Sequence, residues 1–171
     1  MKLLPLLSLL LLLTGAFSHA DDLAPVTVSA PNLFQYTAPA GWKIQTLPND
    51  QFPAALEIKD QDVAGLITVN MDNSPTPLED WCTNSIEKNT TVFAQYSPTF
   101  GRLTSFHTTA GVMGFTCFVD LTAHGKKLHS LYYFFAGSND TRFAVTCTCA
   151  LTDAAHYDPL FQAAAKTFAP N

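Results

Sequence analysis

Asp120 and His129, together with the closely spaced Cys147 and Cys149, are the residues whose types and spacing could do chemistry. An imidazole beside a carboxylate can be held as an oriented base, and two thiols joined by a third, Cys117, could take a soft metal. Neither idea comes with a supporting pattern. His19, His107, His124, His129 and His156 form no His-x-His and no i, i+4 pair, and His124 reads as a turn residue. No serine-centred elbow, phosphate loop or zinc-protease helix is present. The plainer reading of Asp120 and His129 is a cross-strand ion pair. A hydrolase built on them is a distant alternative, and the expectation is a chain without catalytic residues, metal or cofactor. Asn89-Thr90-Thr91 and Asn139-Asp140-Thr141 match the glycosylation pattern, which matters only in a eukaryotic secretory pathway.

These residues must be positioned by the stretch from Gly111 to Ala150. Three runs rich in Phe, Tyr, Val and Thr are separated by the turn clusters AHGK and GSND, the pattern of a three-stranded antiparallel meander. A two-residue turn at His124-Gly125 sets Asp120 opposite His129 and Cys117 opposite Tyr132. Side chains alternate between faces. With an even-length turn at GSND, one face holds Phe115, Cys117, Val119, Leu121, Leu128, Ser130, Tyr132, Phe134, Phe143, Val145, Cys147 and Cys149. That face is expected to be the core. The other carries Phe118, Asp120, His129, Leu131, Tyr133, Phe135 and Arg142 among threonines. An aromatic centre beside an arginine and polar neighbours has the composition of an interaction face. The competing reading is that a helix, the closing one, covers it.

The rest of the chain reads in order. Met1–Ala20 is expected to be a secretory signal, with Lys2, a leucine-dominated run and Ser18-His19-Ala20 as small residues around a cleavage site. The unbroken apolar core Leu6–Leu13 is too short to cross about 30 Å of bilayer, so no stable membrane insertion is expected once the signal is cleaved. Asp21–Ala30 reads as a flexible leader, and residues 31–171 as one domain, a size that buries its own core. Asn32–Tyr36 alternates as a strand, and Ala54–Lys59 with the run holding Gly65, Ile67, Val69 and Met71 makes a hairpin with an acidic turn. Thr76-Pro77-Leu78-Glu79 has the form of a capping box before a helix with Leu78, Trp81, Cys82, Ile86 and Phe93 on one side. Phe100–His107 reads as a further strand. Asp158-Pro159 opens a closing helix bearing Leu160, Phe161, Ala164, Ala165 and Phe168. Strands, helix, strands, helix make an α+β fold on an antiparallel sheet.

Charge and export bound the function. Losing Lys2 with the signal leaves eight basic and fourteen acidic side chains, so a nucleic-acid partner or an anionic membrane surface is not expected. In an exported chain four cysteines are first a disulfide question. On the expected faces Cys117 is two strands from Cys147 and Cys149, too far for a bridge. Cys82 on the helix stripe is then the partner for one strand cysteine.

A strand ending in an aromatic, Pro39-x-Gly41-Trp42, a glycine-containing hairpin, Pro77-Leu78-Glu79-x-Trp81, the aromatic meander and a closing Thr167-Phe168 resemble the PsbP-like proteins, including the periplasmic DcrB group. The resemblance runs from about Leu33 to Phe168. It implies an antiparallel sheet of six or seven strands with two helices packed on it, and an accessory, adaptor or binding role. It carries no set of functional residues across. The expectation is therefore an exported soluble binding or adaptor protein of the cell envelope, in the periplasm or secreted, whose partner is another envelope protein. The alternative is a small-molecule carrier with a pocket between sheet and helix. Intact-mass measurement of the exported protein is expected to find a chain starting at Asp21; retention of the leucine run would overturn the signal reading.

Overall fold

The computed structural model describes residues 24–48 and 50–171, so the signal, its cleavage site and the start of the leader lie outside the described residues. The strands are β1 (Val26–Ala30), β2 (Phe34–Ala38), β3 (Lys43–Thr46), β4 (Pro53–Lys59), β5 (Asp62–Asn73), β6 (Thr99–Phe100), β7 (Thr104–His107), β8 (Met113–Ala123), β9 (Lys126–Ala136), β10 (Thr141–Ala150) and β11 (Ala169–Pro170). The helices are α1 (Leu78–Val92) and α2 (Ala154–Lys166). A large antiparallel sheet runs β3-β4-β5-β10-β9-β8, with β6 and β7 both pairing β8 at the far edge. It has eight strands, more than the six or seven expected, because the Phe100–His107 strand is two short pieces around Gly101. A second sheet, β1-β2-β11, draws Val26–Ala30 out of the expected flexible leader. Val28 and Ala30 are buried in the main core, which gives that segment its reason to be ordered.

Local chemistry sets the turns. Asp60 and Gln61 adopt φ of 49° and 70°, and His124 and Gly125 adopt 50° and 76°, the left-handed pairs that suit two-residue hairpins. Lys59 thus faces Asp62, and Ala123 faces Lys126, giving Asp120 opposite His129 as the sequence indicates. The β9–β10 connection differs. Ala136 faces Arg142 across an odd loop, residues 137–141, in which Gly137 donates to the Thr141 carbonyl at 2.9 Å and Asn139 and Asp140 are both left-handed. An odd loop instead of an even one turns β10 over, since one residue of slip exchanges every side chain between faces. Phe143, Val145, Cys147 and Cys149 therefore sit opposite Phe135, Tyr133, Leu131 and His129. Arg142 moves to the other face.

The result is three layers. On one face of the large sheet lie α2 and the small sheet, burying Phe34, Tyr36, Trp42, Tyr133, Phe135, Phe143, Tyr157, Phe161 and Phe168. On the other, α1 lays Leu78, Trp81, Cys82 and Ile86 over Cys117, Val119, Tyr132 and Phe134. The capping box does not form: the helix begins after Pro77, with no side-chain cap. Arg142 donates from Nε and Nη2 to the Thr76 carbonyl at 3.2 and 2.8 Å, which holds the residue before the helix where the arginine needs it. Glu79 and Asp80 in the first turn still oppose the positive helix end. The second helix starts four residues before the expected Asp158-Pro159, with Pro159 inside it. Pro159 and Ala155, whose carbonyl loses its donor, are exposed, so water can take the bond. Tyr157, one turn before Phe161, extends the buried stripe and pulls the helix back.

Phe168 stacks on Phe135 at 4.8 Å and on Phe34 at 5.5 Å, and meets Phe143 edge-on at 5.6 Å. Phe168→Ala is expected to cost about 3–5 kcal/mol in urea unfolding, the range for a fully buried aromatic. A loss under about 1 kcal/mol would contradict this packing.

Candidate functional site

His129 lies where the large sheet passes beneath α2. Its Nδ1 donates to Asp120 Oδ1 at 2.5 Å across the β8–β9 pair. Its Nε2 faces Asp158 Oδ1 of α2 at 3.3 Å, a charge contact without hydrogen-bond alignment, which leaves both atoms buried and otherwise unpartnered. The imidazole is buried, and the Phe118 ring stacks over it at 6.0 Å with planes 27° apart. Phe118 in turn sits on Gly101, where a Cβ would come within 2.3 Å of the ring. Gly101 is required by this close approach. Phe118 is 38% exposed.

This arrangement joins three elements but has no reactive partner for the imidazole. Cys149, directly opposite His129, is pushed up to about 12 by burial and then by Asp158, Asp153 and Asp120. Cys147 is raised too, by burial first and then by Cys149 and Asp158. A thiol that is desolvated first and also faces carboxylates stays protonated and is a poor nucleophile. The Nδ1 of His129 is bound by Asp120, and its Nε2 faces Asp158 without a hydrogen bond. The group is a latch: two sheet strands and α2 held through one ring. Among the described residues no cluster of His, Cys, Asp or Glu could hold a metal ion. The alternative of a soft-metal set fails because Cys117 is on the opposite face from Cys147 and Cys149.

The expected interaction face divides. Tyr133 and Phe135 are core, Tyr133 against Phe106 at 4.8 Å and Phe135 under Phe168. The closing helix covers this side, as the competing reading held. Arg142 is buried on the α1 face, bound to the Thr76 and Thr141 carbonyls. Leu131 and Asp120 are half-buried, and Phe118 remains at the open lip. In the structure all four cysteines are buried and unlinked, and Cys117 is the other cysteine in the cluster that holds Cys82. The pairing of Cys82 with Cys147 or Cys149 is thereby removed.

Sequence reading missed a second polar group. Tyr157 Oη donates to Glu57 Oε2 at 2.6 Å, and Lys59 Nζ reaches Tyr157 Oη and Glu57 Oε1, each at 3.2 Å. Burial, then the bond to Glu57, raises the Tyr157 hydroxyl above its ordinary value. An open hollow of about 420 Å³ beside it is lined by Lys59, Thr152, Asp153, Ala155, His156 and Tyr157. No sequence spacing announces this group, because it depends on the bulge after Glu57 and on α2 beginning early. The hollow opens between Lys59 of β4 and the first turn of α2, beside the buried sheet–helix interface. Within that interface, Trp42, Tyr157 and Phe161 fill the space with ring contacts of 5.7–6.2 Å. Gly65 beneath them has no room for a Cβ, which would lie 2.7 Å from Trp42 and 2.8 Å from Tyr157.

No family model and no curated protein matches the chain. Solved structures do match. The cyanobacterial PsbP of Synechocystis sp. PCC 6803 is similar with a TM-score of 0.65 at 10% identity, over 92% of this chain and 99% of that one. The Saccharomyces cerevisiae Ran-binding protein Mog1p gives 0.59 at 12% identity, over 86% and 95%. LpqN of Mycobacterium tuberculosis, involved in cell envelope biogenesis, gives 0.55 at 7% identity, over 86% and 90%. The fold is PsbP-like.

His129→Ala should remove the latch, leaving Asp120 and Asp158 without the ring between them and Phe118 without its backing ring. Because both carboxylates are partly wet, the expected loss in urea unfolding is about 1–3 kcal/mol rather than that of a fully buried pair. Unchanged stability would show that the ring does not hold α2.

Proposed function

We propose that this chain is an exported, non-catalytic binding or adaptor protein of the cell envelope, of the DcrB-like kind, which docks another envelope protein at the lip of its large sheet. The observation that carries the reading is Phe118, a large aromatic left 38% exposed yet fixed between Gly101 and the His129 ring, with the Asp120 and Asp158 carboxylates beside it. A rigid aromatic anchor loses little entropy on binding, which is what a protein-docking position needs. Two adjacent carboxylates favour a partner that brings a basic group. The similar structures support a binding role as far as their names go, one being a Ran-binding protein and another a protein of cell envelope biogenesis. Export rests on the leader sequence, and among the described residues no helix is long and apolar enough to cross a membrane. The carrier alternative needs an apolar cavity between sheet and helix. The packed rings of Trp42, Tyr157 and Phe161 weigh against it.

A photo-crosslinking aromatic placed at position 118 of the full chain tests the proposal in living cells. Irradiation should yield one discrete protein adduct, whereas the same probe at Val92, an exposed apolar residue on α1, should yield none. Phe118→Ser should abolish partner recovery while costing no more than about 1 kcal/mol of stability. Equal labelling at both positions, or none at 118, would move the binding surface elsewhere.

A further inference from the structure

The α1 face of the sheet carries a second possibility, independent of the docking lip. Of the fifteen residues of α1, Cys82 is the buried one, and it lies over a small cluster made of Cys117, Val119, Tyr132 and Phe134. Cys82 is fully buried and Cys117 nearly so, at 0% and 4% exposure. Their two elements meet at this cluster, whose partly buried rim includes Leu78, Trp81 and Ile86 above with Phe115 and Leu121 below. Cys147 and Cys149 are out of reach on the far side of the sheet, packed with Tyr133 and Phe143. They cannot bridge each other either, since residues two apart on a strand have Cα atoms about 6.5–7 Å apart and a disulfide normally spans less.

We propose that Cys82 and Cys117 form a disulfide that staples α1 to β8, closed by thiol–disulfide exchange during folding, before the helix docks. The exchange balances with a disulfide-bearing oxidant of the export compartment, either a small disulfide or an oxidoreductase. One cysteine thiolate attacks the oxidant's sulfur and releases one thiol. The second cysteine, having lost its proton, attacks the mixed disulfide and releases the other thiol. Two protein thiols are oxidised to one bond, and the oxidant is reduced to two thiols. The timing follows from burial. In the docked state the Cys82 thiol is pushed up to about 12, by desolvation first and then by Cys117 nearby, and desolvation pushes Cys117 up to about 11. Attack requires a thiolate with access to the oxidant, and the docked helix denies both. A staple here would also enclose the 3-10 turn after α1 with β6 and β7, the short strands at the sheet edge.

The test is refolding of the full chain from the reduced, denatured state with a mixture of oxidised and reduced glutathione, followed by alkylation and peptide mapping. The expected product is lighter by two hydrogens, links the peptide holding Cys82 to the one holding Cys117, and leaves Cys147 and Cys149 as thiols that react only on denaturation. Protein already folded in reductant should stay unlinked under the same oxidant. Four free thiols after refolding to a cooperative native state, or any bond that includes Cys147 or Cys149, would overturn the proposal. Rapid linkage of the folded protein would overturn the order of events. The linked protein should also lose melting temperature when reductant is added, whereas Cys82→Ala and Cys117→Ala should each melt at a temperature that reductant does not change. Because the mapping uses the natural chain, its outcome stands even if a variant fails to fold.

Discussion

Everything on the covered side of the large sheet depends on one ring, Phe168, and on the short piece of chain that carries it. The residue lies two positions past the end of α2 and immediately before β11, which pairs with β2, so a single side chain sits where helix, small sheet and large sheet meet. Its ring neighbours come from both sheets: Phe34 from β2, Phe135 and Phe143 from β9 and β10. The Thr167 hydroxyl accepts from the Thr37 N–H at 2.8 Å and donates to the Ala164 carbonyl at 2.7 Å, fixing the backbone just before the ring. Offset and edge-on aromatic contacts of this kind add to area burial rather than merely filling space. With that ring in place, the small sheet and α2 must lie side by side, and what remains of the sheet face is a strip at β8.

That constraint explains why the mixed face of the meander misleads when read from alternation alone. Tyr133 and Phe135 look like exposed recognition aromatics because polar residues flank them in sequence, but their neighbours in space are Phe106 and Phe168, drawn from the far ends of the alternation pattern. The β8–β9 register was legible because His124-Gly125 can close only a tight two-residue turn. The β9–β10 register was not. The five residues 137–141 admit an even or an odd closure, and the choice rests on Asn139 and Asp140 both taking left-handed backbone and on Phe143 meeting Phe34 and Phe168. No local preference contains that information, and one unit of parity sent Cys147, Cys149 and Arg142 to the wrong sides.

The two helix starts diverge from sequence for a related reason. A capping box is a local proposition, worth about 1 kcal/mol, and the Thr76 carbonyl receives two donors from the buried Arg142 guanidinium instead. Charge-assisted bonds to a buried arginine outweigh one hydroxyl cap. At α2, proline punctuation in the sequence marked a beginning, but burial of Tyr157 against Trp42 and its bond to Glu57 carry the helix back past it. In both places a long-range partner, invisible in a window of ten residues, decides a local boundary. The order of elements and the α+β class survived because they rest on the apolar periodicity of whole segments, which tertiary contacts reinforce.

The same competition shapes what the His129 group can do. Chemistry by an imidazole needs one nitrogen oriented and the other free to move a proton between water-accessible reactants. Here Asp120 orients the first nitrogen, Asp158 faces the second without a hydrogen bond, and the adjacent thiol is kept protonated by burial first and by nearby carboxylates second. Polar residues gathered in this way replace apolar packing where α2 crosses the edge of the sheet, and they hold the Phe118 ring flat against the lip. A side chain so fixed and still exposed costs the folded protein apolar contact with water, and the described residues leave it 38% exposed. The physical argument for a partner is that this surface is rigid, apolar at its centre and acidic at its margin before any partner arrives.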